Sequence, residues 1–315
     1  MKARSPQDAD SRSQTPSAAP HGPRTDGPHP VGGPLVLTFP VTAASPAPTD
    51  HELTVVVPAY NESARLPQTL DGLTLYLDQW GIDYRVLVVD DGSSDGTARL
   101  VEGRGPRVSA ISQPNGGKGS AVRNGMLRAT GRVIAFTDAD LPYELSALRL
   151  GYETIAGEQA HVALGARDLA DSQVVAQRRF LRSVAHEVFR QLMRLLVSRQ
   201  VGDTQCGLKI FSRPAAREVF SRCTINGFAF DAEVVYLLHA LGLSYCRLPV
   251  VLVNEYATTI SLSRHALPML WDVVQMRWRA LRGEYATVLL NNALLSAQNP
   301  PVASLPPVAR PRSAA

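Results

Sequence analysis

Phe136-Thr137-Asp138-Ala139-Asp140 is an apolar run ending in two carboxylates one residue apart, where a buried strand meets a loop. In an extended segment residues i and i+2 point the same way, so both side chains can reach one hard cation that also bridges a diphosphate. A solvated loop is the plain alternative, because Asp-x-Asp is a short pattern. The preceding chain gives the pair its weight. Thr54-Val55-Val56-Val57 runs into Pro58-Ala59-Tyr60-Asn61-Glu62, and Arg85-Val86-Leu87-Val88-Val89 runs into Asp90-Asp91-Gly92-Ser93-Ser94-Asp95-Gly96-Thr97. β-Branched runs without polar alternation read as strands buried on both faces, the mark of a parallel sheet. Between them, Leu66, Leu70, Leu73, Leu77 and Trp80 recur at helical spacing, so the local unit is β-α-β.

The alternation continues. A short helical segment follows Thr97, then a strand over 108–112, the loop Gln113-Pro114-Asn115-Gly116-Gly117-Lys118-Gly119, a helix over 120–129 and the strand 132–137 that carries the acidic pair. Open α/β sheets bind ligands at the carboxyl ends of their strands. Three acidic strand ends and one Gly-Lys loop therefore converge on a single edge. The loop lacks the Gly-x4-Gly-Lys-Ser/Thr spacing of a P-loop, which argues against an ATPase.

These motifs in this order resemble those of family 2 glycosyltransferases with the GT-A fold: residues 57–62, Val89-Asp90-Asp91-Gly92-Ser93, Asn115-Gly116-Gly117-Lys118-Gly119 and Thr137-Asp138-Ala139-Asp140. Downstream, Gly202-Asp203-Thr204-Gln205-Cys206-Gly207-Leu208-Lys209-Ile210-Phe211 and Phe228-Ala229-Phe230-Asp231-Ala232-Glu233 resemble the branch that contains dolichyl-phosphate glucosyltransferase. The resemblance implies an α/β, GT-A-like (Rossmann-like), mostly parallel sheet flanked by helices in one catalytic domain. It implies that Pro58, Tyr60 and Glu62 line the nucleotide pocket, with Asp91 or Asp90 hydrogen-bonding base or ribose. Turn and helix-cap chemistry explains Asp90-Asp91-Gly92-Ser93 equally simply. Asp138 and Asp140 are expected to hold Mg²⁺ or Mn²⁺ against the diphosphate, Asp140 more directly, with Lys118 neutralising a phosphate or the carboxylates. Mannosyl relatives carry a glutamine where this chain has Pro142, which favours the glucosyl branch.

A lipid phosphate acceptor is already anionic and needs little general-base help; the difficulty is to hold two anions close together, screened by cations. Arg167 matches the family's Gly-Ser-Arg position, with Ala166 in place of serine; Arg178, Arg179 and Lys209 are further phosphate candidates. Asp231 and Glu233 open an apolar run. Either the helix dipole favours them there, or Asp231 orients the acceptor or a cationic neighbour.

No stretch reaches the roughly 20 apolar residues that span a bilayer. The segment from Arg178 to Arg199 is an amphipathic basic helix by pattern, with Arg182, His186, Arg190 and Arg194 every four residues. Such a helix can lie in a bilayer interface or pack on the sheet. A second candidate spans 266–282, where Leu267, Leu270, Trp271, Val274 and Trp278 can share one face.

Composition is compatible: 315 residues, 45% hydrophobic, net charge +4, enough for one sizeable core and mildly suited to acidic partners. There is no zinc-finger spacing and no Lys/Arg run, which argues against nucleic acid. Cys206, Cys223 and Cys246 are odd in number and widely spaced, so no disulfide framework is indicated. Residues 1–48 and 291–315 read as disordered tails around a domain at 49–290, and the N-terminal tail shows no secretory core. The expectation is an inverting, metal-dependent enzyme at the cytoplasmic membrane face, moving a sugar onto a polyprenyl phosphate, with UDP-glucose as the expected donor. The alternatives are another sugar such as mannose, a non-lipid acceptor, or a nucleotide-sugar-binding protein without turnover.

Overall fold

Leu53–Ala59 forms the interior strand β1, buried at every position as its unbroken apolar pattern predicts. The computed structural model describes residues 51–169, 171–174, 203, 205–253 and 262–285; the predicted tails and the segment 178–199 lie outside them. Helix α1 (Leu66–Trp80) starts with a proline in its first turn and buries Leu66, Leu70, Leu73 and Leu77. It stops at Gly81, whose φ of 73° lies in the left-handed region that glycine enters without steric cost. β2 (Tyr84–Asp90) then pairs parallel to β1, completing the predicted β-α-β unit.

The short segment after Gly96 is a 3-10 turn, Thr97–Val101. β3 (Val108–Ser112), α2 (Lys118–Arg128), β4 (Val133–Phe136), α3 (Ser146–Ala156), β5 (Val162–Ala166) and the two-residue β6 (Gln173–Val174) follow. After them come β7 (Lys209–Ser212), α4 (Arg213–Phe220), α5 (Phe230–Ala240), β8 (Tyr245–Pro249), β9 (Val251–Leu252) and α6 (Leu262–Leu281). The seven-stranded sheet runs β3-β2-β1-β4-β7-β5-β8, and β6 pairs with β9 in a small second sheet.

One strand breaks the parallel rule. β7 lies antiparallel between β4 and β5, with Phe136 opposite Lys209 and Leu164 opposite Lys209 on the other side. Motifs more than 60 residues apart in sequence, Thr137–Asp140 and Gln205–Lys209, are thereby brought side by side.

Alternation along β1 divides the apolar residues into two cores. Val55 and Val57 belong to the core that includes α1 and α3, while Val56 belongs to the one that includes α2, α4, α5 and α6. Fully sandwiched strands of this kind end abruptly where polar chemistry begins, and here that edge is the site. Among the described residues no helix is long and apolar enough to cross a membrane.

Candidate active site

The turns after β1 and β2 are laced together. Asn61 N–H donates to Ser93 Oγ at 2.9 Å, Ser94 N–H to Asn61 Oδ1 at 2.9 Å, Glu62 N–H to Thr97 Oγ1 at 3.0 Å and Ser63 N–H to Asp95 Oδ2 at 3.0 Å. Asn61 adopts a φ of 52°, which a short polar side chain tolerates. This lacing leaves Tyr60 projecting, 52% exposed, at the end of β1, with Pro58 buried in the strand and Glu62 half-buried beside Arg65 at 3.2 Å.

Asp90 and Asp91 are both buried, and each is occupied. Asp90 Oδ1 accepts the Ser93 N–H at 3.2 Å, a local turn. Asp91 Oδ1 accepts from Gln113 Nε2 at 2.7 Å and Gly116 N–H at 2.9 Å, and Oδ2 accepts the Gly117 N–H at 2.8 Å. Asp91 thus fastens the Gly-Lys loop to β2. The glycines admit another segment of this chain: a Cβ on Gly117, whose φ is 93°, would sit 2.7 Å from Asn226 O, and one on Gly119 would sit 2.5 Å from Ile225 O. The close approach that these glycines permit is made here by the loop before α5.

That clamp aims Lys118 at the acidic pair. Its Nζ lies 2.6 Å from Asp138 Oδ1. Burial opposes the ammonium charge, yet the carboxylates of Asp138, Asp231 and Asp140 outweigh it and raise the Lys118 pKa. Asp140 Oδ1 is buried and accepts no hydrogen bond. Burial first, then the charge of Asp138, pushes the Asp140 carboxyl up to about 6, and Glu62 adds to the repulsion. A buried acceptor atom without a donor, in a cluster where carboxylates outnumber cations, fits a hard divalent ion. Among the described residues no three His, Cys, Asp or Glu side chains group into a metal cage. Two carboxylates with the remaining oxygens drawn from phosphate and water are the usual seat of Mg²⁺.

The pair is held from both sides. Thr69 on α1 donates its hydroxyl to Ala139 O at 2.5 Å, fixing the turn between the two carboxylates. Leu141 follows with a φ of 40°, a costly conformation for a side chain branched at Cγ. On the other side Gly207 backs onto Asp138: a Cβ there would stand 2.1 Å from Asp138 Oδ2.

Behind Lys118 lies a second, fully buried ion pair. Lys209 is 1% exposed; its Nζ donates to Asp231 Oδ1 and to Cys206 O at 2.8 Å, and lies 5.4 Å from the Phe136 ring centroid. Lys209 is therefore withdrawn from any surface where a phosphate could meet it. Burial pushes the Asp231 carboxyl up, against Lys209 and Lys118, which hold it down. Glu233 is spent on structure: it accepts from Thr224 N–H at 2.9 Å, Ile225 N–H at 2.8 Å, Thr224 Oγ1 at 2.7 Å and Tyr285 OH at 2.7 Å.

Arg167 is engaged by a partner absent from the sequence reading. Its Nε and Nη2 form a two-bond fork to Asp203 at 2.7 and 2.8 Å, and its own N–H donates to the same carboxylate at 3.0 Å. This fork uses one side of the guanidinium, and among the described residues no hydrogen bond engages Nη1. Arg178 and Arg179 lie outside the described residues. Sequence reasoning passed over Thr69 and gave Gly207 and Asp203 no individual roles. Thr69 carried a signal, a polar residue on the otherwise leucine-lined face of α1; Gly207 and Asp203 were visible only as parts of a motif.

Comparison with known proteins identifies the family and the fold. The profile of "Glycosyl transferase family 2" matches residues 54–220. Dolichyl-phosphate beta-glucosyltransferase of Drosophila melanogaster is 36% identical over 257 residues, covering 76% of this chain and 76% of the relative. The enzyme of the same name in Dictyostelium discoideum is 32% identical over 262 residues, covering 78% of this chain and 80% of the relative. Among solved structures, mannosyl-3-phosphoglycerate synthase from Rubrobacter xylanophilus shares the fold with a TM-score of 0.55 at 19% identity, over 74% of this chain and 75% of that one. Glucosyl-3-phosphoglycerate synthase from Mycobacterium tuberculosis, solved with Mn²⁺, uridine-diphosphate-glucose and phosphoglyceric acid, gives a TM-score of 0.53 at 19% identity, over 71% of this chain and 80% of that one. The GT-A arrangement predicted from the motifs is thus the one observed, and the chain belongs to glycosyl transferase family 2.

Proposed function

We propose that this chain transfers glucose from UDP-glucose to a dolichyl-type polyprenyl phosphate, with inversion at the anomeric carbon. The observation that carries the reading is the Asp138/Asp140 pair at the end of β4, with Asp140 Oδ1 buried and without a donor and Lys118 Nζ 2.6 Å from Asp138. Relatives spanning three quarters of the chain and named dolichyl-phosphate beta-glucosyltransferase support the donor sugar and the acceptor. Asp138 and Asp140 would hold Mg²⁺ or Mn²⁺, which as a Lewis acid eases departure of the nucleoside diphosphate.

The chain's own groups carry the rest. Pro58, Tyr60 and Glu62 border the nucleotide on the β1 side, while Asp90 and Asp91 shape the edge of β2 against it. Lys118 offers its ammonium to the diphosphate from the Asp138 side. Arg167, steadied by Asp203, presents Nη1 to the acceptor phosphate. An oxygen of that phosphate forms the new bond to C1 as the bond from C1 to the diphosphate oxygen breaks, and the electron pair leaves with the diphosphate. The acceptor oxygen carries no proton at neutral pH, so no base is required. Asp231 acts through Lys118 and Lys209 rather than on substrate.

Such an enzyme works where polyprenyl phosphate resides, peripherally at the cytoplasmic face of a membrane, with the basic segment from Arg178 to Arg199 as one contact; nucleic acid has no role in this reading. The test is incubation with Mg²⁺, labelled UDP-glucose or GDP-mannose, and polyprenyl phosphate in detergent, followed by organic extraction. Label entering the lipid phase from UDP-glucose alone is expected. Transfer from GDP-mannose, or label appearing only in water-soluble products, would overturn the assignment.

A further inference from the structure

Helix α6 is apolar on two faces. Met269, Val273 and Met276 are buried against the core that contains Phe230. Away from them, Trp271, Val274, Trp278 and Leu281 are 61, 44, 53 and 82% exposed. Their spacing of three, four and three residues places them along one side of the helix. Two of the chain's three tryptophans therefore stand in solvent on a single stripe.

Arginines border that stripe. Arg277 and Arg282 are exposed, and the Arg282 guanidinium lies 3.3 Å from the Trp278 ring centroid. The described carboxylates of this segment turn elsewhere. Asp272 approaches Gly227, where a Cβ would meet its Oδ2 at 3.2 Å, and Glu284 sits 3.9 Å from Arg279. An exposed aromatic stripe with a cationic rim has a specific preference. Indole rings favour the headgroup level of a bilayer, and arginines beside them favour anionic lipid.

We infer that the Trp271-Val274-Trp278-Leu281 face of α6 docks on an anionic bilayer surface. A second copy of the chain is the poorer occupant, because a two-fold interface would set Arg277 and Arg282 of both copies against one another. The position of the helix serves the site. Gly227, touched by Asp272, follows Asn226, whose carbonyl packs on Gly117 beside Lys118. A helix lying on the membrane is thus one loop away from the residue aimed at the acidic pair. The inference deepens the lipid-acceptor reading and rests on it for its purpose, while its test requires no turnover.

Full-length protein is mixed with sucrose-loaded vesicles of phosphatidylcholine alone or with one third phosphatidylglycerol, and both sedimentation and tryptophan emission are recorded. The expected result is co-sedimentation with the anionic vesicles, a blue shift, and quenching by brominated acyl chains. Trp271→Gln with Trp278→Gln should weaken binding at least tenfold without lowering the melting temperature. Arg277→Gln with Arg282→Gln should weaken it and flatten its salt dependence. Absence of vesicle binding, binding unchanged in the tryptophan pair variant, or a concentration-dependent dimer abolished by that variant would each overturn the inference. Transfer in detergent, measured on the same preparation, separates the two readings: an enzyme that glucosylates lipid in micelles yet ignores vesicles loses only the docking face.

Discussion

Gly207→Ala should disable the enzyme without unfolding it. The new methyl would lie 2.1 Å from Asp138 Oδ2 and 2.7 Å from its Cγ, where ordinary contact begins at 3.4 Å. Gly207 does not occupy the left-handed region, so alanine meets no backbone penalty and slightly reduces the freedom of the unfolded chain. Strain falls on the carboxylate, which must move by roughly 1 Å, a misplacement that can cost about 100-fold in rate. That corresponds to ~2.7 kcal/mol of lost transition-state stabilisation. The Asp138–Lys118 pair goes with it, but both side chains are about a quarter exposed, so its loss costs stability under ~1 kcal/mol. Steady-state transfer and thermal melts on the same protein are the assay. Gly72→Ala is the control, because its nearest neighbour, Leu141 Cδ1, is 3.9 Å away and alanine in an exposed helix position gains about 0.5–1 kcal/mol. Transfer within threefold of wild type in Gly207→Ala, or loss of the cooperative melt, would refute the reasoning.

Asp140→Asn should abolish transfer and yet stabilise the metal-free fold. The folded carboxyl titrates near 6 against an ordinary 3.8, so its ionisation opposes folding once the pH exceeds the unfolded value, and the penalty is complete above about 6. After allowance for partial exposure, a gain of ~1–2 kcal/mol is expected at neutral pH, vanishing below about pH 4; a destabilised variant by urea titration would contradict this. Lys209→Met leaves Asp231 charged and buried, at a cost of about 3–5 kcal/mol. Adding Asp231→Asn should recover at least half of that in denaturant melts, and no recovery would count against the pair. Burial holds His161 and His239 below the ordinary 6.5. The folded state resists protonating them, so stability is complete above about pH 6.5 and declines as the pH falls below it. His161→Gln should flatten that slope between about pH 7.5 and 5.5, and an unchanged slope would remove His161 as a cause.

Legibility followed distance along the chain. β1, α1, β2, α2 and β4 were readable because each is set by a local period, and Asp138 and Asp140 because a strand end makes neighbours of residues two apart. Helix α2 begins at Lys118 rather than at residue 120, since the Asn226 carbonyl receives the Ser120 N–H and extends order into the glycine loop. The antiparallel entry of β7 was hidden, because strand direction depends on a connection whose path no local period encodes. Lys209–Asp231 and Arg167–Asp203 were hidden for the same reason. Lys209 and Arg167 looked like phosphate ligands until their carboxylates, 22 and 36 residues away, were in place. The two exposed tryptophans of α6 illustrate the converse. The pattern over 266–282 allowed either a packed or an interfacial helix, and the helix has one buried apolar face and one exposed apolar face.

The most direct measurement is anomalous scattering at the manganese edge from crystals of the full chain grown with Mn²⁺ and UDP. A single peak within about 2.5 Å of a carboxylate oxygen of Asp140, with the diphosphate on its far side and the uridine between the turns of β1 and β2, is the expected result. UDP bound without metal at Asp138 and Asp140, or bound away from that edge, would contradict the assignment of the acidic pair.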